Sequence, residues 1–183
     1  MLPLPELGAD DRLDLFTREA KALGCVVYRM SRGEALEQIM DLLDGEKSVL
    51  SWAEDHLPYA GLHDLLASLD VSVARPDDGE VRVGITGASA ALAATGSLVL
   101  ESGAGRPRSA SLLPDRHIAL MTADQVLDDL ETWQASQKAL DYPAFKRASN
   151  TVIVTGPSKT ADIGHQLVKG AHGPRELHIL ILD

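Results

Sequence analysis

Glu176-Leu177-His178-Ile179-Leu180-Ile181-Leu182 is apolar at odd and even positions alike, so both faces of the strand it predicts must meet other side chains. A strand buried on both faces belongs inside a sheet that is itself sandwiched. Shorter runs of the same kind recur upstream at Cys25 to Tyr28, Ser48 to Trp52, Val71 to Ala74, Val81 to Thr86, Ser97 to Glu101, Ile118 to Met121 and Thr151 to Val154. Between them lie segments with helical spacing. Leu13, Phe16, Ala20 and Leu23 precede a stop at Gly24, and Ser31 with Glu34 forms a capping box ahead of Leu36, Ile39, Met40 and Leu43. Leu62, Leu65, Leu66 and Leu69 mark a third helix, and Ala88 to Ala94 reads as a small-residue helix. Thr122 with Gln125 is expected to open a helix carrying Val126, Leu127, Leu130 and Trp133. This alternation predicts an α/β fold with a mainly parallel sheet flanked by helices, in one domain spanning residues 1–183.

Composition narrows the function classes. The chain has 183 residues and a formal net charge of −10, with its basic residues scattered, which argues against a partner that tracks a nucleic-acid backbone. Aromatic residues make up 4%, so aliphatic side chains must fill the core. Met1-Leu2-Pro3-Leu4-Pro5 lacks the basic start and apolar centre of a secretory leader, and no apolar run approaches the length of a membrane span. A cytoplasmic location is the expectation. Cys25 stands alone, so the chain cannot supply a disulfide or the ligands of an iron–sulfur cluster by itself; placed before Val26-Val27-Tyr28 it reads as a packed strand residue.

Ligands of parallel sheets gather beyond the carboxyl ends of the strands. Three loops that follow apolar runs carry glycine, hydroxyl and charge: Gly87 to Ser89, Ser102 to Ser111 and Gly156 to Thr160. They are expected to meet at one edge of the sheet. In Thr155-Gly156-Pro157-Ser158-Lys159-Thr160-Ala161-Asp162-Ile163, a strand gives way to a Gly-Pro turn and then to a helix-forming segment, an arrangement suited to an anion. The same residues also serve as ordinary caps, with Asp162 facing a helix dipole. The run is not a Walker A loop. Thr95-Gly96-Ser97 offers either a close backbone approach to a ligand or a tight turn. Arg106 and Arg108 could grip a carboxylate or phosphate, or be solvated. His172, between Gly170 and Gly173-Pro174, could move a proton or satisfy neighbouring carbonyls. Six histidines form no recognised metal motif, and no protein-bound metal is expected.

Taken in order, Gly84-Ile85-Thr86-Gly87-Ala88, Thr95-Gly96-Ser97-Leu98-Val99-Leu100, Arg108 with Ser111-Leu112-Leu113-Pro114 and His117-Ile118, Gly156 to Ile163, and Gly170 with His172-Gly173-Pro174 resemble the lactate-utilisation protein C family, whose shared unit is the LUD domain. The resemblance covers residues 81–183; residues 1–80 match in general pattern only. It implies a fold similar to ribose-5-phosphate isomerase, glucosamine-phosphate deaminase and CoA-transferase domains. It also implies a part in oxidising L-lactate to pyruvate beside iron–sulfur partner proteins. On that reading Arg108 and Lys159 hold a small anionic metabolite, Ser158 and Thr160 orient it with Thr95, Gly96 and Gly156, and His172 and Asp162 are the catalytic candidates. A non-catalytic assembly subunit, or an isomerase- or transferase-like enzyme, stays open beside it. Two positions depart from the family pattern, where acids are common: Gly164 and Ala94.

Overall fold

A computed structural model describes residues 7–160 and 168–183. In chain order the elements are α1 (Ala9–Ala22), β1 (Val26–Met30), α2 (Arg32–Leu43), β2 (Ser48–Ser51), α3 (Leu62–Ser68), β3 (Ser72–Val73), β4 (Val83–Thr86), β5 (Ala90–Leu92), β6 (Ser97–Ser102), α4 (Ser109–Leu112), β7 (Arg116–Thr122), β8 (Val126–Leu127), α5 (Leu130–Ala139), α6 (Pro143–Arg147), β9 (Asn150–Val154), β10 (Lys159–Thr160), β11 (Val168–Lys169) and β12 (Glu176–Leu182). A single 3₁₀ turn, Glu54–His56, follows β2.

The main sheet has the order β1-β12-β7-β4-β2-β3, and every one of its pairings is parallel. The doubly apolar run is an inner strand: β12 lies between β1 and β7, and Leu177 to Leu182 is buried throughout. Each aliphatic side chain enclosed this way contributes roughly 1.5–3 kcal/mol. Helix α1 brings Leu13, Phe16 and Ala20 into the core, and α2 brings Ala35, Ile39, Leu42 and Leu43. The capping box at Ser31 and Glu34 is formed, with Glu34 accepting from the Ser31 amide at 2.8 Å.

A second sheet, β8-β5-β6-β9, departs from the sequence expectation at two points. Ala88 to Ala94 is not a helix: Ala90, Ala91 and Leu92 form β5, antiparallel to β6. The alanines favour a helix only on local propensity, and packing overrides it, because Ala90, Ala91 and Ala93 are fully enclosed. Likewise Thr122 and Gln125 do form a capping box, but it opens only one 3₁₀ turn. Val126 and Leu127 then pair with β5 as β8, and helix α5 starts at Leu130 under the Asp129 side chain, which accepts from the Thr132 amide at 2.7 Å.

The sequence around Lys159 also resolves differently. Lys159 and Thr160 are not the first residues of a helix; they form β10, which pairs antiparallel with β11 through Lys159–Lys169 and Thr160–Val168. Asp162 and Gly164 lie outside the described residues.

Candidate functional site

Strand register fixes which side chains share the face beneath α4. A β-carbon on Gly84 would overlap the Ala110 carbonyl, so Gly84 faces α4 and only glycine lets the helix seat. Its register partners are Leu50 on β2 and His117 on β7. Alternation along each strand then puts Trp52 and Thr86 on that same face, at the carboxyl ends of β2 and β4. His117 Nε2 and Thr86 Oγ1 are 2.8 Å apart, as this predicts.

Two loops close over that edge. The 52–56 segment and the loop after β6 are joined by the Ala53 amide donating to the Gly105 carbonyl at 2.6 Å. A β-carbon on Gly105 would lie 3.1 Å from Ala53 Cβ and 3.0 Å from the His56 ring. Gly87 lies under the His56 carbonyl and against the Trp52 ring, where a β-carbon would come within 2.5 Å and 3.6 Å of them. Of the three loops expected to converge, Gly87 to Ser89 and Ser102 to Ser111 both reach the 52–56 segment.

The polar groups on these two segments are unusual. Trp52 Nε1, Glu54 Oε1, Arg106 Nε and Ser109 Oγ are all buried without a hydrogen-bond partner among the described residues. Buried polar atoms are almost always paired, because leaving one bare costs about 1–3 kcal/mol. Four of them fall on two short segments, residues 52–54 and 106–109. Arg106 is fixed there by Glu101 on β6: Nη1 donates to Glu101 Oε2 at 3.2 Å, and the two side chains are 15% and 6% exposed. The guanidinium is thus held by Glu101, with its Nε enclosed and unpaired among the described residues.

His117 sits deeper on the same face. Burial, reinforced by the nearby His178, pulls its pKa down from 6.5 to about 4, so the ring is neutral at pH 7. The folded state therefore binds this proton less readily than the unfolded chain, and stability falls as pH drops from 6.5 toward 4. Urea unfolding is expected to show a loss of about 2 kcal/mol between pH 7 and pH 5. His117→Gln should flatten that slope; an unchanged slope would place the titration elsewhere.

The turns at residues 95–97 and 155–160 lie at the other end of the parallel sheet, against the end of α1. Lys159 Nζ donates to the Leu23 carbonyl at the end of α1, a cation satisfying a helix terminus. Gly156 abuts Leu23, where a β-carbon would lie 3.1 Å from Leu23 Cβ. Gly96 packs on Glu19 and Ala20 of α1. Thr95 Oγ1 is 2.8 Å from Ser97 Oγ, which is 2.9 Å from Thr155 Oγ1, a hydroxyl chain tying the two turns. The Ser158 amide donates to the Pro174 carbonyl at 2.8 Å, and the Ser158 carbonyl accepts from Gly170 at 3.0 Å. Thr160 continues that turn as half of the β10 ladder. The third loop thus pairs with the 170–174 turn near the amino ends of β1 and β12, away from Gly87 and Gly105. His172 is exposed on this turn, and Arg108 is exposed just ahead of α4. Cys25 is buried beside Lys159; burial pushes its thiol up to about 11, which suits a packing residue.

A cavity of about 330 Å³ opens at this amino edge, lined by Arg82, Asp115, Arg116, Arg175 and Glu176 among others. Its charges answer one another: Arg82 pairs with Asp115 at 2.9 Å and Arg116 with Glu176 at 2.6 Å. Among the described residues no group of three or more His, Cys, Asp or Glu side chains is placed to hold a metal ion, and no helix is long and apolar enough to cross a membrane.

Sequence pointed to Arg106, Arg108 and the Lys159 turn, and did not single out Trp52, Glu54 or Ser109. Trp52 ends an apolar run and Glu54 follows it at once, so the one available signal was a polar residue and an indole at the carboxyl end of a parallel strand.

Lactate utilization protein C of Halalkalibacterium halodurans is 31% identical over 194 residues, covering 98% of this chain and 83% of that protein. Its counterpart in Shouchella clausii is 27% identical, with 98% and 82% covered. An uncharacterized protein of Neisseria meningitidis is 35% identical over 102 residues, which is 56% of this chain and 42% of that protein. The crystal structure of a DUF162 family protein from Deinococcus radiodurans superimposes with a TM-score of 0.67 at 18% identity, over 97% of this chain and 100% of that one, a likeness of fold. The LUD domain model matches residues 13–182: the chain belongs to the LUD domain family.

Proposed function

We propose that this protein is a cytoplasmic subunit of a lactate-utilisation system, that it acts beside iron–sulfur partner proteins, and that it binds a small anionic metabolite at the carboxyl edge of its parallel sheet. The observation that carries the reading is the set of buried, unpartnered groups at Trp52, Glu54, Arg106 and Ser109. Three of them donate: an indole N–H, a guanidinium N–H and a hydroxyl. Each is a donor that a carboxylate oxygen can accept from, and a guanidinium bond to a charged acceptor is stronger than a neutral one. The names of the relatives supply the metabolic context. One cysteine leaves the electron-carrying clusters to other chains.

The turns at 156–160 and 170–174 support an assembly role beside this site. Their backbone groups and Lys159 are engaged within the chain, while His172 stays on the surface. In this reading they shape a docking edge for a partner, and Arg108, Thr160 and Asp162 remain candidates for contact with it or with the ligand.

Purification of the native complex, followed by lactate oxidation with and without this subunit, tests the role. Activity should fall at least tenfold without the subunit and return when it is added back. Full activity in its absence would overturn the proposal. A lone chain that oxidises lactate would remove the need for partners.

A further inference from the structure

We infer that the free edge of β9 is the docking surface for a second copy of this chain, the two β9 strands pairing antiparallel about a two-fold axis at Val152. A sheet edge is a row of unpaired backbone groups, and folded proteins blunt such edges with shortness, charge or cover. Three of the four edges of the two larger sheets are blunted. β3 is two residues long. β8 is equally short, and Arg12 of α1 reaches the Val126 carbonyl at 3.4 Å. β1 carries Arg29, whose Nε donates to Asp183 at 3.1 Å. β9 has none of these devices. It pairs only with β6 among the described residues, runs for five residues, and reads Asn150-Thr151-Val152-Ile153-Val154, without charge or proline.

The flank of this edge is apolar as well. Ile153 pairs with Val99, which places it on the face that packs against Trp133 and Ala144, and it is 42% exposed there. Phe145 of α6 has its ring 5.8 Å from that of Trp133 and 6.2 Å from that of Tyr142, yet is 56% exposed. Asp141 and Tyr142 hold consecutive left-handed backbone conformations, φ 60° and 56°, which a bulky tyrosine seldom adopts. That turn leads α5 into α6 and leaves Leu140, Tyr142 and Phe145 on the outside. Strain of this kind collects at functional surfaces.

Charge and symmetry select the occupant. The formal net charge is −10, so two copies repel each other across much of their surfaces. Residues 130–154 do not share that excess, with Lys138, Lys146 and Arg147 against Glu131 and Asp141. Pairing about Val152 sets Val152 against its own copy, Thr151 against Ile153 and Asn150 against Val154, so no like charges meet across the strands. β9 already runs antiparallel to β6, and the added strand continues that alternation into one sheet shared by both copies. The two-fold axis stands perpendicular to this sheet and keeps both α6 helices on one face. Because α6 packs on β9, the helices come side by side over the new strand pair, where Ile153, Tyr142 and Phe145 are covered together.

Sedimentation equilibrium of the purified chain over a hundredfold concentration range tests this, with hydrogen exchange of the β9 amides read at both ends of the range. The mass should approach two chains at the top of the range, and the β9 amides that point away from β6 should exchange at least tenfold more slowly there. Ile153→Lys and Phe145→Ser should each weaken the pair tenfold or more, since a charge on an edge strand opposes pairing and the serine removes apolar cover. Val73→Lys, the same kind of change on exposed β3, should weaken it less than threefold. A single-chain mass throughout overturns the inference and leaves the edge to a strand from another protein. A pair that survives both Ile153→Lys and Phe145→Ser, or that Val73→Lys disrupts as strongly, forms elsewhere and also overturns it. If either variant fails to fold, exchange in the unaltered chain decides alone: β9 amides that exchange at one rate across the range overturn the inference.

Discussion

Gly96→Ala should lower unfolding stability by about 3 kcal/mol or more. Two costs add. Gly96 has φ +61°, a left-handed conformation that costs an L-residue about 1–2 kcal/mol. The new β-carbon would also sit 2.6 Å from the Glu19 carbonyl carbon and overlap the Ala20 amide nitrogen. Both obstacles are α1 backbone, which cannot swing aside as a flexible side chain could. Relief requires α1 to lift, and with it Leu13, Phe16 and Ala20, which are buried in the core. Urea or thermal denaturation reads the loss directly. A variant that keeps its stability but loses affinity for a carboxylate would instead return Gly96 to the ligand site suggested by its sequence context.

Arg106→Met should cost about 3–5 kcal/mol of stability and abolish carboxylate binding, because it strands the Glu101 carboxylate in a buried position with no counter-charge. The two losses can be separated. In the double variant Glu101→Gln/Arg106→Met no charge remains to be stranded, so most of the stability should return. Binding should not return, since the guanidinium is still missing. Recovery of both would mean that Arg106 serves only the fold. Lys159→Met provides the contrast: it removes one donor to the Leu23 carbonyl at the end of α1, worth about 1 kcal/mol, and should leave carboxylate affinity unchanged.

What could be read from sequence, and what could not, divides along physical lines. β12 was legible because its apolar residues fall on both faces, a pattern that only an inner strand satisfies. The helix caps at Ser31 and Asp129 are local devices, and the Ser31–Glu34 box was visible in the residues themselves. β5 was illegible because alanine prefers a helix locally, while here the small side chains let two layers approach. Lys159 looked like an anion anchor at a helix start. Its actual partner, the Leu23 carbonyl, lies 136 residues away in sequence, beyond any local pattern. Arg106 and Arg108 illustrate the same limit. Only Pro107 separates them, yet the first is paired inside the fold with Glu101 and the second stands in solvent. Which arginine turns inward depends on Glu101 being on the adjacent strand, a fact of topology and not of spacing.

The account depends on Trp52 and Arg106 facing a common ligand at the carboxyl edge. The chain has two tryptophans, so its amide-correlation NMR spectrum carries two indole N–H signals, assignable with Trp133→Phe. Titration with L-lactate should shift the Trp52 indole signal while that of Trp133, packed against Ala90, Leu92 and Val99 in the second sheet, stays in place. A Trp52 signal that does not move while the amides of Gly156, Ser158 and Lys159 do would contradict the account and put the ligand at the opposite end of the sheet.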